Sequence, residues 1–232
     1  MNIERTISKI LPENKLKEKL RIIFRILESY RIIPSNRLYE QYILKIYEKR
    51  YRVQKGDIVV DAGACFGMNT LKFSKAAGKE GKVVSIEPNE SNLIDIRRII
   101  RLHRLKNVVV IPKALWNKKS EMNFYCHSSP GSHSLVDKRN VKEIVEIKVD
   151  TMDDILKDLK IDKVDFIKMD IEGAEIEALE GAKETLRNND VKLAIASYHK
   201  INGQPTYKTI IPMMKKIGFK SYFENGISYF EK

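Results

Sequence analysis

Asp61 and Glu87 are the residues whose type and spacing most directly suggest a chemical task. Asp61 closes the apolar run Ile58-Val-Val-Asp61 and leads into a turn of the form D-x-G-A-x-x-G, holding Gly63, Ala64 and Gly67. Glu87 closes a second apolar run, Val83-Val-Ser-Ile-Glu-Pro88, 26 positions after Asp61. That separation fits one strand, one crossover helix and a second strand parallel to the first. A carboxylate at a strand tip can grip a ribose diol, and a glycine turn beside it gives a ligand close access to the backbone. Taken alone, the turn also suits an ordinary βαβ crossover whose glycines only permit tight packing. Paired with Ile86-Glu87-Pro88, it points to a nucleoside-bearing cofactor.

What the turn lacks narrows the cofactor. Dinucleotide folds usually carry G-x-G-x-x-G, with a helix N-terminus aimed at a pyrophosphate. Here only Gly63 and Gly67 stand in the turn, and Asp61 would repel a pyrophosphate. An acidic strand end suits a cationic amino-acid moiety, directly or through water. S-adenosylmethionine has an ammonium, a sulfonium and a ribose but no phosphate, and is the cofactor expected.

Further blocks follow in order. Val149-Asp-Thr-Met-Asp-Asp154, Ile167-Lys-Met-Asp-Ile-Glu-Gly-Ala-Glu175 and Leu179-Glu-Gly-Ala182 come after Val60–Gly67 and Ile86–Asn89. With these blocks the chain resembles the FkbM family of S-adenosylmethionine-dependent methyltransferases over about three fifths of its length. The resemblance implies a Rossmann-like fold and methylation of a hydroxyl on a sugar, glycan or small metabolite. Cys65 departs from the family, which often has a polar side chain such as Asn at that position.

Methyl transfer from a sulfonium requires the nucleophile to be aligned in line with the methyl carbon. A hydroxyl acceptor also needs a base or a metal to deal with its proton. In an open α/β sheet, ligands lie beyond the carboxyl ends of the strands. Asp170 ends the Phe166–Met169 strand and is expected there as base, positioning group or metal ligand. Glu172 and Glu175 follow it; a carboxylate cluster could hold a divalent cation, or the two acids could simply favour the start of the helix near Gly173. No metal is assigned from the sequence. Histidine suits a base near neutrality, and two are candidates: His199, which ends the next strand at the acceptor rim, and His133, in the Gly131-Ser-His-Ser134 loop as part of a lid. His103 falls on the surface of a predicted helix, and His127 flanks the hairpin with no clear partner. Pro112-Lys-Ala-Leu-Trp116 follows the third strand, where Ala114 and Leu115 are placed to flank an adenine; Trp116 reads equally well as core.

The elements that must position these residues follow from the hydrophobic pattern. Strands are expected at 57–61, 82–87, 107–112, 164–169 and 191–198, with helices at 69–77, 91–104, 151–158, 173–187 and 206–217. Glu121–Cys126 and Val141–Val149 read as an inserted antiparallel hairpin. Phe219–Phe223 and Ile227–Phe230 flank Asn225-Gly226, a strong hairpin signal. The fold class expected is α/β: a Rossmann-like class I methyltransferase whose mostly parallel seven-stranded sheet ends in an antiparallel hairpin. Residues 1–55 form a basic helical extension and 56–232 the methyltransferase domain.

Composition bounds the function. At 232 residues with 43% hydrophobic content the chain suits one well-buried α/β domain plus a small extension. No apolar run approaches the ~20 residues of a membrane span, and the N-terminus carries no signal-peptide core. Two cysteines make neither a disulfide framework nor a zinc pattern. The cytoplasm, where S-adenosylmethionine is made, is the expected compartment. Of the net charge of +12, residues 1–56 carry +8. Leu16, Leu20, Ile23 or Phe24, and Leu27 recur at helical spacing among lysines and arginines, a basic amphipathic helix. A second helix begins near Ser35 or Asn36 and buries Leu38, Tyr42 and Ile46. These helices either pack on the domain or touch an anionic membrane surface, at the inner face, or an acidic glycan. Nucleic acid is disfavoured: the domain itself is nearly charge-balanced, and Asp170-Ile-Glu-Gly173 stands where base-amine methyltransferases commonly carry a Pro-Pro-Tyr type of tetrapeptide. A ribose methyltransferase, a catalytically inactive binding protein and a homo-oligomer stay open.

Overall fold

The computed structural model describes residues 46–128 and 131–232. Its centre is a seven-stranded sheet. Five strands are parallel: β1 (Ile58–Ala62), β2 (Lys82–Ile86), β3 (Val108–Ile111), β7 (Phe166–Met169) and β8 (Lys192–Ala196). The final hairpin, β11 (Lys220–Glu224) and β12 (Ile227–Glu231), joins antiparallel to β8. The order across the sheet is β11-β12-β8-β7-β1-β2-β3. The chain order reverses beside β1, so the crevice for a ligand opens at the carboxyl ends of β1, β2 and β7.

The alternation of strand side chains divides the core into two layers. Val60, Val84, Ile167, Leu193 and Ile195 face helices α3 (Met152–Asp158), α4 (Glu175–Glu180), α5 (Lys183–Asn188) and α6 (Tyr207–Lys216). Val59, Val83, Phe166 and Ala194 face α1 (Met68–Ala77), whose Phe73 meets Phe166 edge to face at 5.7 Å. Strands buried on both faces must be apolar at successive positions, which is why the sequence shows continuous apolar runs here. Helix starts are set by local chemistry. The Asn89 side chain accepts from the Asn92 amide to open α2 (Glu90–His103), and the Thr151 hydroxyl accepts from Asp154 to open α3.

A three-stranded sheet, β4 (Ala114–Leu115), β6 (Glu143–Asp150) and β5 (Ser120–Cys126), is inserted between β3 and α3. The expected hairpin is its β5–β6 pair, in register from Ser120 opposite Val149 to Cys126 opposite Glu143. The helix expected at 173–187 is instead two helices, α4 and α5, broken at Gly181-Ala182. A Cβ on Gly181 would lie 2.2 Å from the Trp116 carbonyl oxygen, so the chain can cross that loop only with glycine. A two-stranded ribbon, β9 (Lys200–Ile201) with β10 (Gln204–Pro205), follows β8 and was not expected from the pattern.

The basic helix at 13–29 and nearly all of the second helix lie outside the described residues. Ile46–Glu48 form a 3-10 turn, and Tyr47 and Val53 are buried in the α1-side core. Part of the 1–55 extension is thus continuous with the domain. Among the described residues no helix is long and apolar enough to cross a membrane.

Candidate active site

A cleft opens at the carboxyl ends of the parallel strands. Gly63, Glu87, Pro88, Ala114, Leu115, His133, Asp170 and Glu172 all line it, brought together from five separate stretches of chain. Phe124 and Leu135 from the inserted segment close one side.

The turn after β1 is built on an ion pair. Asp61 is fully buried, 3.2 Å from the ammonium of Lys168, and accepts a hydrogen bond from the Thr70 hydroxyl at 2.6 Å. Lys168 also donates to the carbonyls of Ala62 (3.1 Å) and Gly63 (2.6 Å). The Asp61 carboxylate was expected to serve a cationic amino-acid moiety, directly or through water. Its countercharge is Lys168, and it is absent from the cleft lining, so its task is to fix the turn from beneath. Gly63 has φ +71, and a Cβ there would fall 1.8 Å from the Asp170 carbonyl oxygen. Glycine is therefore required by both conformation and space. Ala64 is buried behind the turn, and Gly67 (φ +79) precedes α1, packed on Ile96. Both shape the turn without lining the cleft.

Glu87 is 5% exposed and accepts from the backbone amides of Cys65 and Asn89, each at 2.9 Å, and from the Asn92 side chain at 3.3 Å. Burial pushes its carboxyl up to about 7, against the pull of these donors. Cys65 thus contributes through its amide. Its thiol is held well above the ordinary range, first by burial and then by the nearby Glu87.

The loop after β3 is anchored by Lys113, whose ammonium donates to the buried Asp150 at 2.7 Å. That explains the first acid of Val149-Asp-Thr-Met-Asp-Asp154. The Asp153 carboxylate accepts from the amides of Glu184 and Thr185 at the start of α5. Trp116 is part of a satellite core with Ala114 and Phe124.

At the opposite end stands a cluster of ionisable groups. His199 Nδ1 is 2.9 Å from Glu175 Oε1, while Nε2 is 3.5 Å from Glu172 and 3.7 Å from Asp170. Glu175, fully buried, also accepts from the amides of Ile171 (3.3 Å) and Gly173 (3.1 Å). Asp170 Oδ2 accepts from the Tyr47 hydroxyl at 2.7 Å. Burial disfavours an imidazolium, but the carboxylates of Glu175 and Glu172 outweigh it and hold His199 well above its ordinary value. Burial raises Glu172, opposed by His199. His199 itself stands behind Asp170 and Glu172 and is absent from the cleft lining.

His133 behaves differently. Its Nδ1 accepts from the His127 amide at 3.0 Å, and burial lowers its pKa to about 4. With Nδ1 occupied, the neutral ring offers a donor at Nε2, so the basic role considered for it is not the one this geometry favours. Tyr47 and Lys168 were missed by sequence reasoning. Tyr47 gave no signal, whereas a lysine inside the buried run Phe166–Met169 is a charge that must find a partner.

The parallel strand order, the antiparallel final hairpin and a cleft at the strand tips define a Rossmann-like methyltransferase fold. Residues 61–221 match the Methyltransferase FkbM domain, and the chain belongs to that family. Among solved structures, FkbM methyltransferase from Methylobacillus flagellatus KT is 19% identical with a TM-score of 0.59, aligned over 98% of this chain. This chain spans only 57% of that protein's length. A SAM-dependent methyltransferase from Aquifex aeolicus is 18% identical over 88% of this chain and 96% of its own, with a TM-score of 0.50. Aeropyrum pernix fibrillarin, solved with natively bound S-adenosyl-L-methionine, is 13% identical over 80% of this chain and 70% of its own, with a TM-score of 0.52. No curated protein matches the chain.

Proposed function

We propose that the protein transfers a methyl group from S-adenosylmethionine to a hydroxyl of a sugar, glycan or small metabolite. One observation carries this reading: a single cleft has a hydrogen-bonded carboxylate, Glu87, at one end and carboxylates backed by an imidazole, Asp170, Glu172 and His199, at the other. Glu87 fits a ribose diol, whose two hydroxyls would donate to it. Gly63 exposes backbone to the amino-acid moiety, and Ala114 and Leu115 offer apolar contact to the adenine.

When bound, S-adenosylmethionine would supply a methyl carbon activated by its sulfonium, with a neutral thioether as the leaving group. The chain's own task is to align the acceptor oxygen and take up its proton. Glu172, raised by burial, is a better proton acceptor than an ordinary carboxylate and faces the cleft. Asp170 faces it too, held in place by Tyr47. His199, anchored on Glu175 through Nδ1, stands behind both carboxylates and faces them with Nε2.

Calorimetric titration with S-adenosylmethionine tests the cofactor step, and labelled-methyl transfer to a panel of monosaccharides and glycans tests the acceptor. Micromolar binding that Glu87→Ala abolishes is the expected result. Folded wild-type protein that binds no S-adenosylmethionine would overturn the reading.

A further inference from the structure

We propose that Asp170, Glu172 and His199 form a site for a divalent cation of the Mn2+, Co2+ and Zn2+ class. The role given to that cation rests on the methyltransferase reading, but the site does not. The nearest ligand atoms of the three side chains all lie within 4.8 Å of one another. They come from the tip of β7, the turn after it and the end of β8, so the sheet itself converges them.

The distances favour an ion over a hydrogen-bonded cluster. His199 Nε2 is buried and makes no hydrogen bond, although its side chain is only 10% exposed and two carboxylates face it. At 3.5 Å and 3.7 Å those carboxylates are too far for good hydrogen bonds. Two ligands about 2.1 Å from a shared cation, at a tetrahedral angle, are about 3.4 Å apart. The gap is thus close to the edge of a coordination polyhedron.

Orientation gives a second, independent argument. Glu175 Oε1 sits 2.9 Å from Nδ1, itself fixed by the amides of Ile171 and Gly173. A histidine that ligates a metal usually donates its other ring N–H to a carboxylate, which fixes the tautomer and turns the free lone pair to the ion. Here that lone pair is Nε2, aimed between Asp170 and Glu172. Tyr47 does the same for Asp170: its hydroxyl engages Oδ2, and Oδ1 is the oxygen turned towards His199.

One imidazole with two carboxylates selects the cation. Mg2+ and Ca2+ prefer all-oxygen shells, whereas nitrogen ligation favours first-row transition ions and Zn2+. Asp170 and Glu172 also line the cleft, so an ion held there has an open face towards the acceptor. A hydroxyl bound to it would lose its proton to solvent more readily.

Titration of the 232-residue chain with Mn2+, followed by loss of the free-ion electron paramagnetic resonance signal, tests the site without cofactor or acceptor. We expect one Mn2+ per chain, weakened at least tenfold in both His199→Gln and Glu172→Gln. Mg2+ should displace it only in large excess. Glu172 is partly exposed, so its variant keeps the test sound should His199→Gln fail to fold. Absence of Mn2+ binding, affinity unchanged in both variants, or equal preference for Mg2+ would overturn the inference. Mn2+ bound by protein that neither binds nor uses S-adenosylmethionine would sink the proposed function and leave the site standing. Cofactor binding without Mn2+ would do the reverse.

Discussion

Asp61 and Glu87 stand at the carboxyl ends of neighbouring parallel strands, Asp61 opposite Ser85 and Glu87 two residues further on, yet they are held in opposite ways. Asp61 faces the buried cation Lys168 and a hydroxyl, with no exposed surface. Glu87 is held by two amides and one side-chain amide, lines the cleft, and is pushed up to about 7 by burial. A strand-tip acid that already has its cation is part of the frame. One that is desolvated with only neutral donors in contact gains most from a further donor, such as a ribose hydroxyl.

Breaking the pair under the turn should have the largest effect. Lys168→Ala leaves Asp61 buried without its cation, and removing one partner of such a pair costs about 3–5 kcal/mol. Urea denaturation should show that loss. The double variant Asp61→Leu with Lys168→Met should recover much of the stability, because an apolar pair of similar volume avoids the desolvation cost. The contrast with Glu87 collapses if Asp61→Asn keeps full stability and loses cofactor binding.

Glu87→Gln should act mainly on affinity. A hydrogen bond to a charged group contributes about 1.5–3 kcal/mol, so S-adenosylmethionine binding should weaken about 10- to 100-fold by calorimetry. Stability should fall by about 1–2 kcal/mol, because the new NH2 must face at least one donor that the carboxylate accepted. A stability loss as large as that of Lys168→Ala would place Glu87 in the frame as well.

The same carboxylate sets a pH dependence. Ribose donors favour its ionised form, so binding releases the proton that the free site holds below about 7. Affinity should therefore rise with pH, by up to about tenfold per unit below pH 7, and level off above it. The sign for folding is the reverse: the raised carboxyl favours the fold at low pH, and that contribution is lost as pH climbs from the ordinary carboxylate range to about 7. Calorimetry at pH 5.5, 7 and 8.5 tests the binding limb, and Glu87→Gln should flatten it.

The frame was far easier to read than the site. Strands buried on both faces announce themselves as apolar runs, and Asn89, Thr151 and Asn225-Gly226 mark their own caps and turn. The split at Gly181 depends on the Trp116 carbonyl, some sixty-five residues away in sequence, and no local pattern records such an approach. Asn202-Gly203 did carry a hairpin signal for β9 and β10, hidden by the pull of the longer strand reading up to 198. At the site, residue types at strand ends were legible, but their partners were not. Lys168 beneath Asp61 and Tyr47 on Asp170 are contacts across 107 and 123 positions, the first set by the pairing of β1 with β7 and the second by the packing of the 3-10 turn on the sheet.

The smallest expected effect sharpens the comparison most finely. Cys65 lies between the two acids in sequence, with φ +50, and its amide donates to Glu87. If the turn serves the cofactor by backbone alone, the side chain is free to change within the limits of a left-handed conformation. Asn tolerates that conformation better than most residues. Cys65→Asn should therefore change S-adenosylmethionine affinity by less than about threefold, under ~0.7 kcal/mol. A much larger loss would mean that the thiol itself shapes the pocket, whose lining includes Cys65. A gain would mean that the amide side chain adds a donor or acceptor the present turn lacks. Either deviation would move Cys65 from the frame to the ligand's side of the contrast between Asp61 and Glu87.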